Sequence, residues 1–477
     1  MKKTNIHKFI LAILITLTTI SAYSINKLET WPAPQGAALN NDFTVKVKQA
    51  GMEWRELPTY IVKIDEVRDA KHHVENASMS YFNFSGEVEV SVTCNKGEIQ
   101  TAKVRPLSFG ITPQISGNTL IFKLNNPRNL SVEVNGDIFH NLHLFANLME
   151  DFIPEAKDKN VIYFGPGIHK PEKDIFKISS GETVYIAGGA VLTGQIVIDG
   201  VRDVKVLGRG IIDCSVKQGI RISNSKNIYV EGVTLTQLPT GDSDSVTIRN
   251  VKSISYYSWG DGMNVFASDN VLFDNVFCRN SDDCTTVYAT RKGYTGGCRN
   301  ITMQNSTLWA DVAHPIFIGL HGNSEDPDTI QNITYRNIDI LDHKEKQIDY
   351  QGCMAINAGD NNLIRDVRFE NIRIEDFRQG QLVDMRVSFN KKYCTAPGRG
   401  IENVLFKDIT YTGDRSEISI IAGYNEERKI KNVRFENLRI NGQLMSDDMP
   451  EKPAWYKTGD MARIFVGEHV ENISFGK

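Results

Sequence analysis

The sequence has little proline, no Cys-x-x-Cys pair, no excess of positive charge and no low-complexity tract. Its 477 residues include only 15 Pro, and 41% of them are apolar, which is typical of a globular chain. The formal net charge of −4 excludes an overall attraction to nucleic acid or to anionic membranes. The seven Cys have no spacing typical of zinc ligands, so neither a metal nor another cofactor is expected.

The first 24 residues are typical of a secretory signal peptide. Three Lys precede an apolar run from Phe9 to Ala22, and the small residues that follow predict cleavage before Ile25. The run is too short for a comfortable membrane span. Cleavage removes three Lys and no acid, which moves the formal charge from −4 to −7. The sequence therefore predicts a secreted or periplasmic protein whose mature form has no membrane span.

The cysteines are odd in number, which is unusual for an exported chain. They lie in apolar, strand-like stretches, which favours free thiols in the core. A disulfide among Cys278, Cys284 and Cys298 is the alternative, and its pairing stays open.

From about residue 200 one phrase recurs, in which a polar residue is followed by alternating aliphatic and polar residues. Alternation predicts a strand with one face inward, and repetition predicts a solenoid in which each unit buries that face against its neighbours. The lack of a 3.6-residue period excludes helical repeats, and the Leu/Asn spacing of leucine-rich repeats is missing. A right-handed parallel β-helix is therefore predicted for residues 156–477, with an Asn recurring at its turns. The copies begin at Arg202, Lys226, Asp244, Asp269, Arg299, Gln331, Arg365, Glu402, Lys431 and Glu471.

Residues 25–155 follow a different pattern of alternating strands joined by short turns. Examples are FTVKVKQ from Phe43, EVEVSVTC from Glu87 and LSVEVNG from Leu130. This pattern is typical of an antiparallel β-sandwich. The sequence thus predicts an all-β protein with a sandwich before the β-helix, and a monomer is expected.

Two adjacent aspartates, Asp282 and Asp283, follow Asp261 by 21 and 22 residues, which is the length of one coil. In a β-helix such a spacing sets residues above one another, about 4.8 Å apart. Crowded carboxylates raise at least one pKa, which supplies a protonated general acid, while the others can deprotonate water. The pattern predicts acid/base cleavage of a glycosidic bond, with inversion if the acid and base are widely separated. A calcium site or a solvated acidic patch is the alternative.

Seven neighbouring residues are candidates for binding the substrate. The set contains two histidines on the next coil, three aromatic residues that could stack on sugars, and two cations that could contact an anionic sugar. Packed core side chains and solvated cations are the alternatives. The candidates are His314, His321, Trp259, Tyr288, Trp309, Arg291 and Lys292.

These motifs resemble the polygalacturonase-type β-helix hydrolases, glycoside hydrolase families 28 and 49. The WGDGM string around Asp261 is similar to the NTDGID-type motif of family 28, SDDC to GDDC, and AHPIFIGLHG to GHG followed by S-I-G-x-x-G. The resemblance implies that Asp282 is the general acid, that Asp261 and Asp283 activate water, and that His314 tunes the site.

Two departures bear on the substrate. The R-I-K motif that grips a galacturonate carboxylate is missing, and the chain has GCMAINAGDNN from Gly352 instead. The N-terminal region, with WPAPQG and RPLSFGI, is similar to the dextranase-type family 49. Both departures point away from polygalacturonate and toward a neutral or differently charged glycan, with a dextran-like glucan as the reference substrate. The sequence as a whole thus predicts a secreted, inverting and endo-acting hydrolase of the dextranase type. A polygalacturonase-like pectin hydrolase, a uronate lyase and a non-catalytic glycan-binding protein are the alternatives.

Overall fold

A computed structural model describes residues 26–171, 173–213, 218–257 and 259–477. The predicted signal peptide and Cys214 lie outside the described residues. Within these ranges the chain is almost entirely β, as predicted, with one α-helix, Thr458–Ala462, and one 3-10 helix, Leu107–Phe109. No helix in the described part is long and apolar enough to span a membrane.

Eleven strands build the N-terminal sandwich. They are β1(Lys27–Glu29), β2(Phe43–Lys48), β3(Arg55–Leu57), β4(Tyr60–Arg68), β5(Lys71–Ser85), β6(Val88–Cys94), β7(Ala102–Arg105), β8(Gln114–Ser116), β9(Thr119–Leu124), β10(Arg128–Val134) and β11(Asp137–Asn147). One sheet has the order β1-β5-β11-β10-β7, with β4 on β5, and the other has the order β3-β2-β6-β9-β8. All pairs are antiparallel except β11 with β5, which is parallel. The apolar faces of both sheets share one core.

The remaining strands coil into the β-helix. They are β12(Val161–Phe164), β13(Gly167–His169), β14(Ile175–Lys177), β15(Thr183–Ile186), β16(Ala190–Leu192), β17(Gln195–Asp199), β18(Arg202–Gly208), β19(Ile211–Ile212), β20(Ile220–Ser223), β21(Lys226–Glu231), β22(Thr234–Leu235), β23(Thr240–Gly241), β24(Asp244–Arg249), β25(Lys252–Ile254), β26(Met263–Phe266), β27(Asp269–Asp274), β28(Phe277–Asn280), β29(Thr285–Tyr288), β30(Cys298–Ala310), β31(Ile316–Gly319), β32(Thr329–Asp342), β33(Met354–Ala358), β34(Leu363–Glu375), β35(Gly380–Gln381), β36(Val383–Val387), β37(Gly400–Thr412), β38(Ser416–Glu417), β39(Ser419–Ala422), β40(Ile430–Glu436), β41(Leu438–Ile440), β42(Gln443–Met445), β43(Ile464–Val466) and β44(Val470–Gly476).

Two long sheets result, one of 20 strands and one of 11, whose inward side chains share a continuous core. Their strands pair in parallel apart from β41 with β42, and β35 pairs with β38 in a separate small sheet. The predicted β-helix is thus confirmed. The last sandwich strand ends at Asn147 and the first coil strand begins at Val161, so the predicted boundary at residue 155 lies in their connection.

The recurring phrase forms one column of the 20-stranded sheet. Its ten copies pair in register from Arg202 to Glu471. The second residue of each phrase has a left-handed backbone, and it is Asn in seven of the ten copies and Asp203, Ser245 or Asp366 in the other three. Asn, as at Asn300 with φ 59°, tolerates this conformation better than most side chains. Its amide bonds to the neighbouring coil, as in the 2.8 Å contact from Nδ2 of Asn300 to Oδ1 of Asn270. This explains why Asn recurs there.

The sandwich packs its β4, β5 and β11 face against the β-helix. Ile64 and Phe145 from the sandwich share an apolar cluster with Ile254 and Phe277 from the coils. Buried cations cross the same interface, and Nη1 of Arg279 donates to the sandwich through a 2.9 Å hydrogen bond to Asn141. The relative position of the two domains is therefore fixed by packing as well as by hydrogen bonds.

The six described cysteines are free and buried. Four of them, at positions 278, 284, 298 and 353, belong to the core of the β-helix. The prediction of core thiols is confirmed for these residues, and the alternative disulfide among the first three is not formed.

Candidate active site

Three carboxylates lie where strands of the 11-stranded sheet begin on successive coils. β26 and β29 pair in register, and the backbone N–H of Gly262 donates to the carbonyl of Asp283 over 2.8 Å. Asp261 therefore lies one coil below Asp283, and Asp282 is the immediate neighbour of both. β29 pairs likewise with β31, which sets His314 one coil above Asp283. The predicted vertical alignment is present.

Small residues allow the coils to approach closely at this point. A Cβ atom on Gly260 would lie 2.2 Å from Oγ of Ser281, and one on Gly262 would lie 2.4 Å from Oδ1 of Asn280. The polar pair before the double aspartate also braces the loop below, since Nδ2 of Asn280 donates to Oγ of Ser255 over 3.0 Å. This bracing produces the bend that brings neighbouring aspartates to the same cleft.

The carboxylates line a cleft of about 500 Å³. Its lining comes from the loop that contains Trp259 and from the segments 343–352 and 388–398, with Glu345 and Tyr393 among their cleft residues. The sandwich contributes His72.

Burial and like charge raise the pKa of two of the three carboxyls. Burial, followed by the charge of Asp283, raises the pKa of Asp261 to about 6, although Nδ2 of Asn264 donates to it over 2.5 Å. Burial, followed by the charges of Asp261 and Asp283, raises the pKa of Asp282 well above its ordinary range. Groups this close titrate together. The cluster therefore retains a transferable proton at mildly acid to neutral pH.

Asp283 is surrounded by hydrogen-bond donors. It accepts from Nδ1 of His314 at 2.6 Å, from the backbone N–H of His314 at 3.1 Å and from the Tyr288 hydroxyl at 3.2 Å. His314 is itself fixed, because its ring stacks on Phe317 at 4.4 Å and its Nε2 contacts the carbonyl of Tyr350. This donor set suits an ionised carboxylate, which accepts and cannot donate.

Two cations of the cleft have no carboxylate partner among the described residues. The Arg291 guanidinium lies 4.7 Å from the centre of the Tyr288 ring, and Nζ of Lys392 donates to Oε1 of Gln347 over 3.2 Å. Arg386 is different, because its guanidinium is paired with carboxylates at 2.9 and 2.6 Å. Arg291 and Lys392 are thus the cations available to an anionic ligand.

Two of the predicted binding residues are buried where a glycan cannot reach them. Trp309 is fully buried between the guanidinium groups of Arg279, at 4.0 Å, and Arg105, at 5.0 Å, so its prediction as a stacking platform is wrong. His314 is also fully buried, and it contacts Asp283 rather than the cleft.

The remaining candidates have mixed positions. Trp259, with 70% of its surface exposed, lines the cleft together with His321 and Arg291, and their part in substrate binding stays a prediction. Tyr288 reaches the cleft but is 2% exposed and has Arg291 over its ring, so it offers no free face to a sugar. Lys292 is exposed outside the cleft lining, although its charge lowers the pKa of Asp261.

The segment that replaces the missing basic motif contains no Lys or Arg and is largely buried. Ala355 in β33 pairs with Phe317 in β31, and both belong to an aromatic cluster that also includes Tyr350. Nearby, Nδ2 of Asn357 donates to Asp384 over 3.0 Å. A carboxylate of a sugar has no cation to meet at these positions.

The sequence reasoning missed several cleft residues. His72 comes from the sandwich, whereas Glu345, Gln347, Lys392 and Tyr393 come from loops between coils. No periodic signal marks a loop residue, but the long intervals between repeat copies after Gln331 indicate where such loops lie.

Comparison with known proteins identifies the family. The model of glycosyl hydrolases family 28 matches residues 158–452. "Probable endopolygalacturonase D" of Neosartorya fischeri is 24% identical over 46% of this chain and 43% of its own length. "Probable endo-xylogalacturonan hydrolase A" of Aspergillus fumigatus is 22% identical over 52% of this chain and 65% of its own length. The matches thus span about half to two thirds of these relatives.

The fold is also that of a solved structure. Dex49A from Penicillium minioluteum superposes with a TM-score of 0.65 at 15% identity, over 94% of this chain and 96% of that one. At this identity the likeness concerns the fold, and it includes the N-terminal sandwich as well as the β-helix. The family match covers well over half of the sequence and contains all three aspartates of the cleft. The chain therefore belongs to glycosyl hydrolases family 28 and is a glycoside hydrolase of the β-helix type.

Proposed function

We propose that this enzyme hydrolyses internal O-glycosidic bonds of a galacturonate-containing polysaccharide with inversion at the anomeric carbon. The observation that carries the proposal is the column of carboxylates in one cleft, where burial and mutual charge raise the pKa of Asp261 to about 6 and that of Asp282 well above its ordinary range. An inverting glycosidase needs one protonated carboxyl and one carboxylate beside a water molecule.

Asp282 is the general acid in this proposal. Burial and the charges of Asp261 and Asp283 raise its pKa well above the ordinary range, so it can keep a proton and give it to the glycosidic oxygen as the bond breaks. Asp261 and Asp283 orient and deprotonate the water that attacks from the opposite face of the sugar. His314 is a positioning residue, because it holds Asp283 without reaching the cleft.

Two observations support an acidic glycan. Both fungal relatives are named for hydrolysis within galacturonans, and both names specify endo action. Among the residues that the structure describes, Arg291 and Lys392 of the cleft form no ion pair with a carboxylate, and such cations favour an anionic sugar. In this proposal these two loop residues take over the role of the missing basic motif.

A neutral, dextran-like glucan is the second candidate. It is favoured by Ala355 and Asn357, which offer no positive charge on the coil where the family's basic motif would lie. In that case Arg291 would serve mainly to cover the Tyr288 ring. The leader-like residues 1–24 support export in either case, and N-terminal sequencing of protein from the culture medium or periplasm tests it.

The experiment is product release from polygalacturonate, xylogalacturonan, dextran and pullulan by wild type and Asp282→Asn. We expect reducing ends from a galacturonan, a rapid fall in viscosity and loss of both in the variant. Proton NMR of the first product should show the inverted anomer. Release from dextran alone would favour the glucan. Products absorbing in the ultraviolet would indicate a lyase, and equal activity of the variant would contradict the role of Asp282.

A further inference from the structure

The cleft contains a histidine from the N-terminal sandwich, outside the region that the family model matches. His72 lines the cleft together with the three aspartates, whereas the family match begins at residue 158. His72 follows the tip of the hairpin formed by β4 and β5, and 44% of its side chain is exposed. A polar side chain beside the reacting carboxylates is accessible to a bound sugar.

The hairpin turn is built to hold its two strands in a defined register. Arg68 pairs with Lys71, and the two residues between them, Asp69 and Ala70, have φ angles of 48° and 60°. Left-handed conformations at both central positions are those of a type I′ turn, whose twist matches that of the flanking strands. The register sets Val67 directly opposite His72.

The ring of His72 is oriented by a buried carboxylate. Nδ1 of His72 contacts Oδ2 of Asp65, whose side chain is fully buried. Burial raises the pKa of Asp65, and when its carboxylate is ionised it can only accept, so the contact then places a proton on Nδ1 of His72. Nε2 of His72 has no hydrogen-bond partner within the described ranges, so it is left for a ligand. Burial of the Asp65 carboxyl costs desolvation energy. Such a buried acid beside an exposed histidine is expected where the imidazole ring must keep one orientation.

The hairpin is also fixed to the coils that carry the catalytic aspartates. Ile64 of β4 packs in one cluster with Ile254 and Phe277, which lie in the strands leading to Asp261 and Asp282. Lys344, next in sequence to the cleft residue Glu345, also contacts the hairpin, since its Nζ donates to the carbonyl of Val67 over 2.7 Å. His72 is therefore held at a constant position relative to the aspartates.

We infer that His72, presented by the sandwich hairpin and held by Asp65, is a substrate-binding residue that hydrogen-bonds a hydroxyl or carboxylate of the glycan. The inference rests on the proposed function, since it takes the same cleft as the sugar site. It gives the sandwich a part in substrate recognition that the family-matched region alone does not supply. Asp65 is then a positioning residue for His72.

The test compares His72→Ala, His72→Gln and Asp65→Asn with wild type in the full chain. The substrate is the glycan that wild type hydrolyses fastest in the panel above. Loss of one hydrogen bond made equally to substrate and transition state should raise KM about tenfold and leave kcat within about twofold. His72→Gln should recover part of the loss, because its amide can still bond a sugar. The matched control is His73→Ala, on the same strand but outside the cleft lining.

Coupling between the two residues gives a second readout. If Asp65 acts through His72, the double variant should have the KM of His72→Ala, since its two effects are not additive. Calorimetric titration of oligosaccharide into Asp282→Asn, with and without His72→Ala, should show the same affinity ratio as KM. An unchanged KM and affinity in a folded His72→Ala would overturn this inference alone. Wild type inactive on every glycan would contradict the proposed function, and this inference would fall with it.

Discussion

The Nδ1 atom of His314 lies 2.6 Å from Oδ1 of Asp283, on the next coil of the same column. Burial alone would lower the pKa of this histidine, but the charge and hydrogen bond of Asp283 outweigh burial and raise it. His314 therefore remains a donor to Asp283 over a wider pH range than a free imidazole would.

Removal of His314 should impair turnover more than binding. In His314→Ala, Asp283 loses its shortest hydrogen bond and the orientation needed to activate water, so we expect kcat to fall by about 100-fold and KM to change little. His314→Gln retains a donor and should recover part of kcat. Tyr288→Phe removes the longer 3.2 Å bond and should cost less. A His314→Ala enzyme with normal kcat, or with an effect on KM alone, would contradict the role of His314.

The carboxyl cluster predicts a bell-shaped dependence of kcat/KM on pH. The acid limb should lie near pH 6, where Asp261 gains its proton, and the basic limb higher, where Asp282 loses its proton. The charge of Glu345 contributes to the raised pKa of Asp282, so Glu345→Gln should move the basic limb to lower pH. Asp349→Asn, in the same loop but paired with Arg386, is the control. A basic limb unaffected by Glu345→Gln would contradict this assignment.

The same crowding should reduce stability at neutral pH. Because the pKa of Asp282 is raised in the folded state, its contribution to the free energy of unfolding is greatest below the unfolded pKa of about 4 and is lost as pH rises toward the folded pKa. Asp282→Asn does not titrate at this position, so its gain in Tm over wild type should be small at pH 4 and larger at pH 8. Calorimetry measures both values, and an equal Tm difference at the two pH values would contradict the expectation.

Asp244→Asn is the matched control for that measurement. Hydrogen bonds from Asn270 and Lys226 lower the pKa of Asp244 to about 2. Its carboxylate therefore stabilises the folded state above the unfolded pKa, and the contribution is lost as pH falls toward 2. Its replacement should lower Tm at pH 8, which is the opposite sign to Asp282→Asn.

The two unpaired cations should decide between charged and neutral glycans. If Arg291 and Lys392 contact a galacturonate carboxylate, Arg291→Gln and Lys392→Gln should each lower kcat/KM on polygalacturonate by about tenfold or more. On the same polymer with its carboxyl groups reduced to alcohols, the two variants should have nearly the same kcat/KM as wild type. Lys391→Gln, one position away and outside the cleft lining, should behave as wild type. Equal losses on the charged and the reduced polymer would contradict the carboxylate contact.

Periodic features of this chain were predictable from its sequence. The phrase repeat sets the register of a whole sheet, and a one-coil spacing put Asp261 beside Asp283, because a solenoid converts sequence period into vertical distance. The Asn ladder followed from the same period.

Residues outside the period were not predictable in the same way. Trp309 belongs to a repeat strand, but whether that strand meets solvent or the sandwich depends on domain packing, which local pattern does not encode. His72 lies some 190 residues before Asp261 and reaches the cleft only because the sandwich docks on the coils. Lys392 belongs to a loop whose path depends on its contact with the aromatic cluster below it.

Docking of the sandwich should depend strongly on Arg279. Its guanidinium has no exposed surface, pairs with the equally buried Asp311 at 2.9 Å and bonds Asn141 of the sandwich at 2.9 Å. Arg279→Met would leave a buried carboxylate short of a partner, so we expect a loss of about 3 kcal/mol or more in the free energy of unfolding, measured by urea titration.

Arg299→Met is the control for this change, because Arg299 pairs with Asp269 at 2.7 Å in the same sheet but on the surface. Exposed pairs contribute about 0–1 kcal/mol, so this variant should unfold near the wild-type midpoint. Arg279 also precedes the double aspartate by three residues, and its strand positions Asp282. Arg279→Met should therefore be less active than wild type even at urea concentrations below its unfolding midpoint, where it is still folded, whereas Arg299→Met should keep its activity. Equal stability of the two variants would show that the buried network does not hold the sandwich to the catalytic coils.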